Sequence, residues 1–211
     1  MNELIRTLTQ AWGPTSYEEG IRTVIEQELH PLHLESRVDT LGNLIYRLPA
    51  PGRPKLLLSA HMDQIGIIVT HIDAAGFLRV AAVGGLDPYR VLGQRFVFAN
   101  GTVGVAGVET KKRDTLEHLT LDHLFVDIGA ASADEAAQRV AVGDFAVYEG
   151  ACQELGRRVT SAALDDRIGC YVLTEALKAV AGKDLAYEVY AMFSVQEEIG
   201  IGADVSRAIG D

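Results

Sequence analysis

Cysteine is scarce: Cys152 and Cys170 are the two in 211 residues. They form no CxxC pair, so no disulfide framework is expected. Neither has a convincing histidine partner, and both read as small buried hydrophobes. Long apolar runs are missing too; none approaches the roughly 20 residues that cross a bilayer. The opening MNELIRTLTQAWG is too polar and acidic for a secretory leader. Positive charge is outnumbered, with 19 Lys and Arg against 29 Asp and Glu, a net charge of −10. A surface so acidic repels phosphate backbones, which argues against nucleic acid as a partner. The KKR triplet at 111–113 reads as a solvated turn. The chain also lacks GxSxG, GxxxxGK[ST], HExxH and a GxGxxG opening a helix, which removes the usual serine-hydrolase, nucleotide and zincin signatures. Repeats and low-complexity tracts are absent. A soluble, cytoplasmic protein with no membrane partner is the expectation.

What is present is enough apolar residue, 48%, to build a substantial core. NELIRTLTQA places Leu4, Ile5 and Leu8 at helical spacing. After Gly13-Pro14, Ser16 is placed to cap a second helix, with Glu18 and Glu19 in its first turn. Ile21, Val24, Ile25 and Leu29 form that helix's stripe, and Pro31 ends it. RVDTLGNLIYRL predicts a hairpin turning near Gly42-Asn43. KLLLSAH, at 55–61, predicts a strand covered on both faces. Beyond about residue 70 the texture changes to short Val- and Phe-rich runs broken by glycine: GFLRVAAVGGL, QRFVFANGTVGVAGV, HLFVDIGA and GDFAVYEGA. SADEAAQRV is the clear short helix within them. The α/β texture then returns, with the helix IGCYVLTEALKAVA and the strand AYEVYAMFSV. The expected organisation is an α/β domain over 1–69 and 156–211, interrupted by a β-rich insert over 70–155.

Three element ends carry polar residues where α/β sheets gather their sites. The first is His61-Met62-Asp63. Residues two apart on a strand share a side, so Asp63 can hold one ring N–H of His61 and leave the other nitrogen for a metal. The plainer alternative is a satisfied core histidine. The second is Asp165-Asp166 ahead of a helix, where Asp is a favoured cap and Arg167 could neutralise its neighbours. The third is Glu197-Glu198 after a buried strand. Adjacent like charges there are costly unless solvated or bound to a cation. One histidine with two carboxylate pairs is a donor set suited to zinc or cobalt hydrolysis. The remaining histidines, His30, His33, His71, His118 and His123, read as structural or solvated.

SAHMDQIG, ALDDRIG and SVQEEIG, in that order, resemble the dinuclear metallo-aminopeptidases of the glutamyl, or tetrahedral, type, sometimes mislabelled cellulases or endoglucanases. GPTSYEEGIR, DTLGNLI, VGGLDPYRVLGQRFVF and HLFVDIGA resemble further segments of that family. The resemblance implies an α/β fold with a mixed central sheet flanked by helices and a small β-barrel-like insert serving dimerisation. It implies His61 as a metal ligand and Asp63 as its supporting partner. Asp165 would bridge two divalent ions, zinc or cobalt, with a cis peptide to Asp166. Glu197 would be the general base and Glu198 a ligand of the second ion. The implied reaction is removal of N-terminal residues from short peptides, inside a homo-oligomer of dimers assembled into a tetrahedral dodecamer. The family's further aspartate and histidine ligands find no match, and Asp204 and Asp211 are not assigned to them. An incomplete chain, a weak metal binder and an open sheet edge beside AYEVYAMFSV are therefore expected. A related di-metal carboxypeptidase or deacylase, or a fragment acting only in self-association, are the alternatives.

Overall fold

A computed structural model describes residues 2–109 and 117–201. The basic triplet at 111–113, Asp204 and Asp211 lie outside the described residues. The chain forms two compact units, one of residues up to Gln64 together with those from Ala151 onward, the other spanning Ile65–Gly150.

The first unit opens with α1, Glu3–Gln10, capped by the Asn2 side chain accepting the Leu4 N–H at 2.8 Å. Helix α2, Glu19–Leu29, buries Ile21, Ile25 and Leu29, the stripe its spacing predicts. Its start differs from expectation. Ser16 has φ 74° and does not cap the helix; Glu18 occupies the cap position and does not bond its own helix ends. The Glu18 carboxylate instead accepts the Ser16 N–H at 2.8 Å.

Strands β1, Glu35–Val38, and β2, Leu44–Leu48, form the predicted antiparallel hairpin. Asp39 organises its turn. Asp39 Oδ1 accepts the N–H groups of Leu41 at 2.9 Å and of Gly42 and Asn43 at 3.0 Å each, while Oδ2 accepts Asn43 Nδ2 at 2.9 Å. Gly42 sits at φ 107°, a conformation that a side chain would strain.

Strand β3, Lys55–His61, corrects one expectation. It is not covered on both faces: Leu56 and Leu58 are each 38% exposed. In the described sheet β3 is the outermost strand, so one flank has no neighbour to cover it.

The second unit holds β4, Gly66–Ile72, β5, Leu78–Val83, the short α3, Pro88–Val91, then β6, Arg95–Phe98, β7, Val103–Val108, β8, Leu124–Asp127, α4, Ala133–Ala137, and β9, Phe145–Tyr148. Its strands close into a barrel in the order β4-β5-β8-β7-β6-β9. Ile67, Leu78, Phe96, Val126 and Ala146 are wholly buried in its core. The β4–β9 seam depends on Gly66: a Cβ there would stand 2.4 Å from the Ala146 carbonyl oxygen.

The chain returns to the first unit with a hairpin of β10, Gln153–Leu155, and β11, Arg158–Thr160. Helix α5, Leu164–Val180, and strand β12, Glu188–Ser194, follow. The sheet order is β1-β2-β12-β3, with β12 antiparallel to β2 and parallel to β3. It is a mixed sheet, and β12 lies inside it, so among the described residues the edge strands are β1 and β3 rather than AYEVYAMFSV. Alternation along β12 serves two faces. Val189, Ala191 and Phe193 join Leu8, Ile21, Ile25, Leu173 and Leu177 in the helix-covered core, while Met192 packs with Ile45 and Leu57 on the other face. Each such large apolar side chain contributes about 1.5–3 kcal/mol by burial. No described helix is long and apolar enough to cross a membrane.

Partial burial raises the Asp39 carboxyl, but the bonds from Asn43, Leu41 and Gly42 outweigh it and hold it below its ordinary value. A depressed carboxyl stabilises the fold above the unfolded-state pKa, about 3.9, and that contribution disappears as pH falls through the folded-state value. Asp39→Ala should therefore lose about 1–3 kcal/mol at neutral pH. In urea titrations the gap to the parent should narrow below pH ~3.9; a gap that stays constant into stronger acid would contradict this role.

Candidate active site

The carboxyl ends of β3 and β12 lie together because the two strands run parallel, with Ser194 opposite His61. The ladder continues one step further, the Met62 N–H donating to the Ser194 carbonyl at 2.7 Å. The chain then delivers Asp63, fully buried, from one strand and Glu197-Glu198 from the other.

Asp63 joins the two ends. Its Oδ2 accepts Thr15 Oγ1 at 2.7 Å and the Glu198 N–H at 3.1 Å, and its Oδ1 accepts the Glu197 N–H at 3.1 Å. His61 Nδ1 lies 3.3 Å from Asp63 Oδ1 and 3.2 Å from the Asp63 carbonyl oxygen. The preceding amides are also held by side chains. The Val195 N–H donates to Asn43 Oδ1 at 2.9 Å, and the Gln196 N–H to Glu18 Oε1 at 3.1 Å. Gln196 is left-handed, φ 58°, and turns the chain so that the glutamates follow in a short 3-10 turn, Glu197–Ile199.

With Nδ1 engaged on Asp63, His61 Nε2 faces outward, 3.2 Å from Asp165 Oδ1 and 3.7 Å from Glu197 Oε2. Burial pushes the imidazole down, but the hydrogen bond and charge of Asp63, with the charges of Glu197 and Asp166, raise it to about 9. Burial raises the Glu198 carboxyl; the His61 charge opposes this and Asp63, Asp165 and Glu197 add to it.

The aspartate pair divides its work. Asp165 has an 89% exposed side chain turned to His61. Asp166 acts as the cap, its Oδ1 accepting the Gly169 N–H at 3.0 Å. The peptide between them is cis. Among the described residues, no three His, Cys, Asp or Glu side chains converge as a metal cage. The donor chemistry nevertheless fits a divalent cation: an outward imidazole nitrogen beside two solvent-open carboxylates, with Glu198 adjacent and negative charge in excess.

The profile of the M42 glutamyl aminopeptidases matches residues 42–208. The chain belongs to the M42 family. A relative from Acetivibrio thermocellus is 43% identical over 201 residues, covering 95% of this chain and 60% of the relative. The crystal structure of a TET aminopeptidase from the marine sediment archaeon Thaumarchaeota archaeon SCGC AB-539-E09 superposes with a TM-score of 0.88 at 32% identity, over 94% of this chain and 59% of that one. The Pyrococcus horikoshii TET1 peptidase, described as assembling into a tetrahedron or a large octahedral shell, gives 0.82 at 36% identity, over 94% and 62%. The chain thus spans about 60% of the length of the relatives it matches.

In this M42 chain Arg167 departs from the expectation that it neutralises Asp165 and Asp166. It is wholly buried, and its guanidinium points away from them, donating to the carbonyls of Leu8 at 2.6 Å, Ala11 at 3.1 Å and Gly13 at 3.4 Å. The start of α5 puts Arg167 on the inner face, where the last carbonyls of α1 lack helical partners. Burial lowers it to about 10, against the charges of Asp63 and Glu18. Cys170, also buried, donates its thiol to the His61 carbonyl at 3.2 Å; burial pushes it up to about 12, which suits a packing residue rather than a nucleophile.

Thr15, Glu18 and Asn43 are the contributors that motif reading passes over. Glu18 and Gln196 stand 178 positions apart, and no local spacing links them. Arg167→Met should strand the carbonyls of Leu8, Ala11 and Gly13 and lower stability by at least about 2 kcal/mol. Chemical denaturation checks this; a loss under about 0.5 kcal/mol would show that the carbonyls find other donors.

Proposed function

We propose that this chain carries the catalytic carboxylates of a metal-dependent aminopeptidase that removes N-terminal residues from short peptides. The observation that carries the reading is the cluster at the parallel strand ends: His61 Nε2 turned outward onto Asp165 and Glu197, with Glu198 beside them, in a chain of the M42 family. His61, Asp165 and Glu198 would hold two divalent ions, zinc or cobalt, with Asp165 shared. Bound ions would supply Lewis acidity for the scissile carbonyl and acidify water. Asp63 keeps the His61 Nδ1 side occupied, which directs Nε2 outward. Glu197, half exposed, is the group able to accept a proton from water and pass it to the leaving amine.

The closed barrel disfavours the di-metal carboxypeptidase or deacylase alternative, whose inserted domain is of a different α/β type. Self-association through the barrel unit, building dimers and then a dodecamer, is the assembly we propose; the shells named for the P. horikoshii relative support it. The partial donor set favours one second reading, a chain that self-associates without turnover.

Two variants test the division of labour. Glu197→Gln should abolish hydrolysis of aminoacyl nitroanilides, a loss of at least about 100-fold, while metal content by elemental analysis stays near the parent's. Glu198→Gln should reduce metal content. Equal metal loss in both variants would overturn the assignment of base and ligand. A parent protein that binds zinc but cleaves no nitroanilide would favour the second reading.

A further inference from the structure

Glu18 lies outside the stretch matched by the family profile, residues 42–208. Its carboxylate is buried, with 5% of the residue exposed, yet it forms no capping bond to its own helix. Burying an acid away from water is costly unless donors replace the water. Two donors offset part of that cost, the Ser16 N–H at 2.8 Å and the Gln196 N–H at 3.1 Å, both on Oε1, and burial still holds the carboxyl above its ordinary value. The residues that supply them share an uncommon conformation: Ser16 at φ 74° and Gln196 at φ 58° are both left-handed without being glycine. That conformation costs roughly 1–2 kcal/mol per residue, so each needs a fixed acceptor to persist. One carboxylate oxygen thus holds two turns, and the second turn immediately precedes Glu197 and Glu198.

We propose that Glu18 is a positioning residue for the peptidase site: by holding the Gln196 N–H it fixes the left-handed turn that presents Glu197 and Glu198 beside His61. Thr15 belongs to the same device. Its hydroxyl donates to Asp63, which takes the next two amides, so the segment 15–18 anchors the amides 196–198 partly directly and partly through Asp63. The role rests on the aminopeptidase reading, but the placement of the turn can be measured without substrate.

The test compares Glu18→Gln, which keeps an acceptor oxygen at the same place, with Glu18→Met, which keeps the length and removes the acceptor. Amide hydrogen exchange at Gln196, Glu197 and Glu198 is followed by NMR on the metal-free protein, and kcat and KM are measured on nitroanilides, corrected for folded fraction. Glu18→Met should speed exchange at these amides about tenfold and lower kcat about 10- to 100-fold with KM nearly unchanged. Glu18→Gln should restore both to near the parent's values. A residue that only supports folding would leave kcat per folded molecule intact and show no rescue by glutamine. Unchanged exchange in Glu18→Met overturns the proposal, as does faster exchange with an unchanged kcat. A parent without peptidase activity defeats the aminopeptidase reading instead; exchange alone then decides whether Glu18 sets the turn, loss with methionine and rescue with glutamine supporting it and equal behaviour of the two overturning it.

Discussion

Asp63 has no exposed surface, and its two carboxylate oxygens hold Thr15, the amides of Glu197 and Glu198, and the Nδ1 side of His61. Moving a carboxylate out of water costs several kcal/mol unless donors take the water's place. Here they do. Burial raises the Asp63 carboxyl, but the bonds from His61, Thr15 and the two amides outweigh it and keep it below the ordinary range. A group that stays ionised can satisfy all its donors at once. The end of β3, the turn after β12 and the segment before α2 are thereby fixed relative to one another. Replacing it would release three segments, not one side chain.

A second buried charge completes the arrangement from below. Arg167 binds the carbonyls at the end of α1 and just beyond, and the chain then runs directly through Thr15 to Glu18. Pro14 forms a bridge to Gln64, next to Asp63. Arg167 begins the regular part of α5 immediately after the Asp165-Asp166 pair. The same turn of chain therefore presents Asp165 to solvent and locks the N-terminal segment from inside. The buried side chains of Asp63, Glu18 and Arg167 hold backbone, whereas Asp165 and Glu197 keep their carboxylates in water. Solvent exposure and anchoring fall to different members of one charged cluster.

Much of this was legible in the chain itself. The spacing of Ile21, Ile25 and Leu29, the turn at Gly42-Asn43, the alternation in AYEVYAMFSV and the glycine-broken Val and Phe runs reflect local preferences, and the corresponding helix, hairpin, strand and barrel strands form. The His61, Asp165 and Glu197-Glu198 motifs could be found because each is a compact polar interruption at an element boundary, two at the ends of apolar strands and one at the start of a helix. Ser16 and Arg167 misled for one reason. Each has a reasonable local role, cap or counter-charge, that another partner overrides: the Glu18 carboxylate two residues on in one case, and the distant carbonyls at and just beyond the end of α1 in the other.

Apolar periodicity and turn chemistry act between neighbours in sequence, so the chain alone determined which segments become helix or strand and which polar residues sit at their ends. Tertiary structure decided the rest. Leu56 and Leu58 are exposed because β3 is outermost in the described sheet, and strand order is not encoded in the strand's own composition. Asp165 faces His61 while Asp166 turns back to cap α5, although the two residues are chemically identical. Glu18 joins the site because its oxygen meets an amide 178 positions away. Hydrogen bonds act over about 3 Å, and only the folded chain brings those atoms that close.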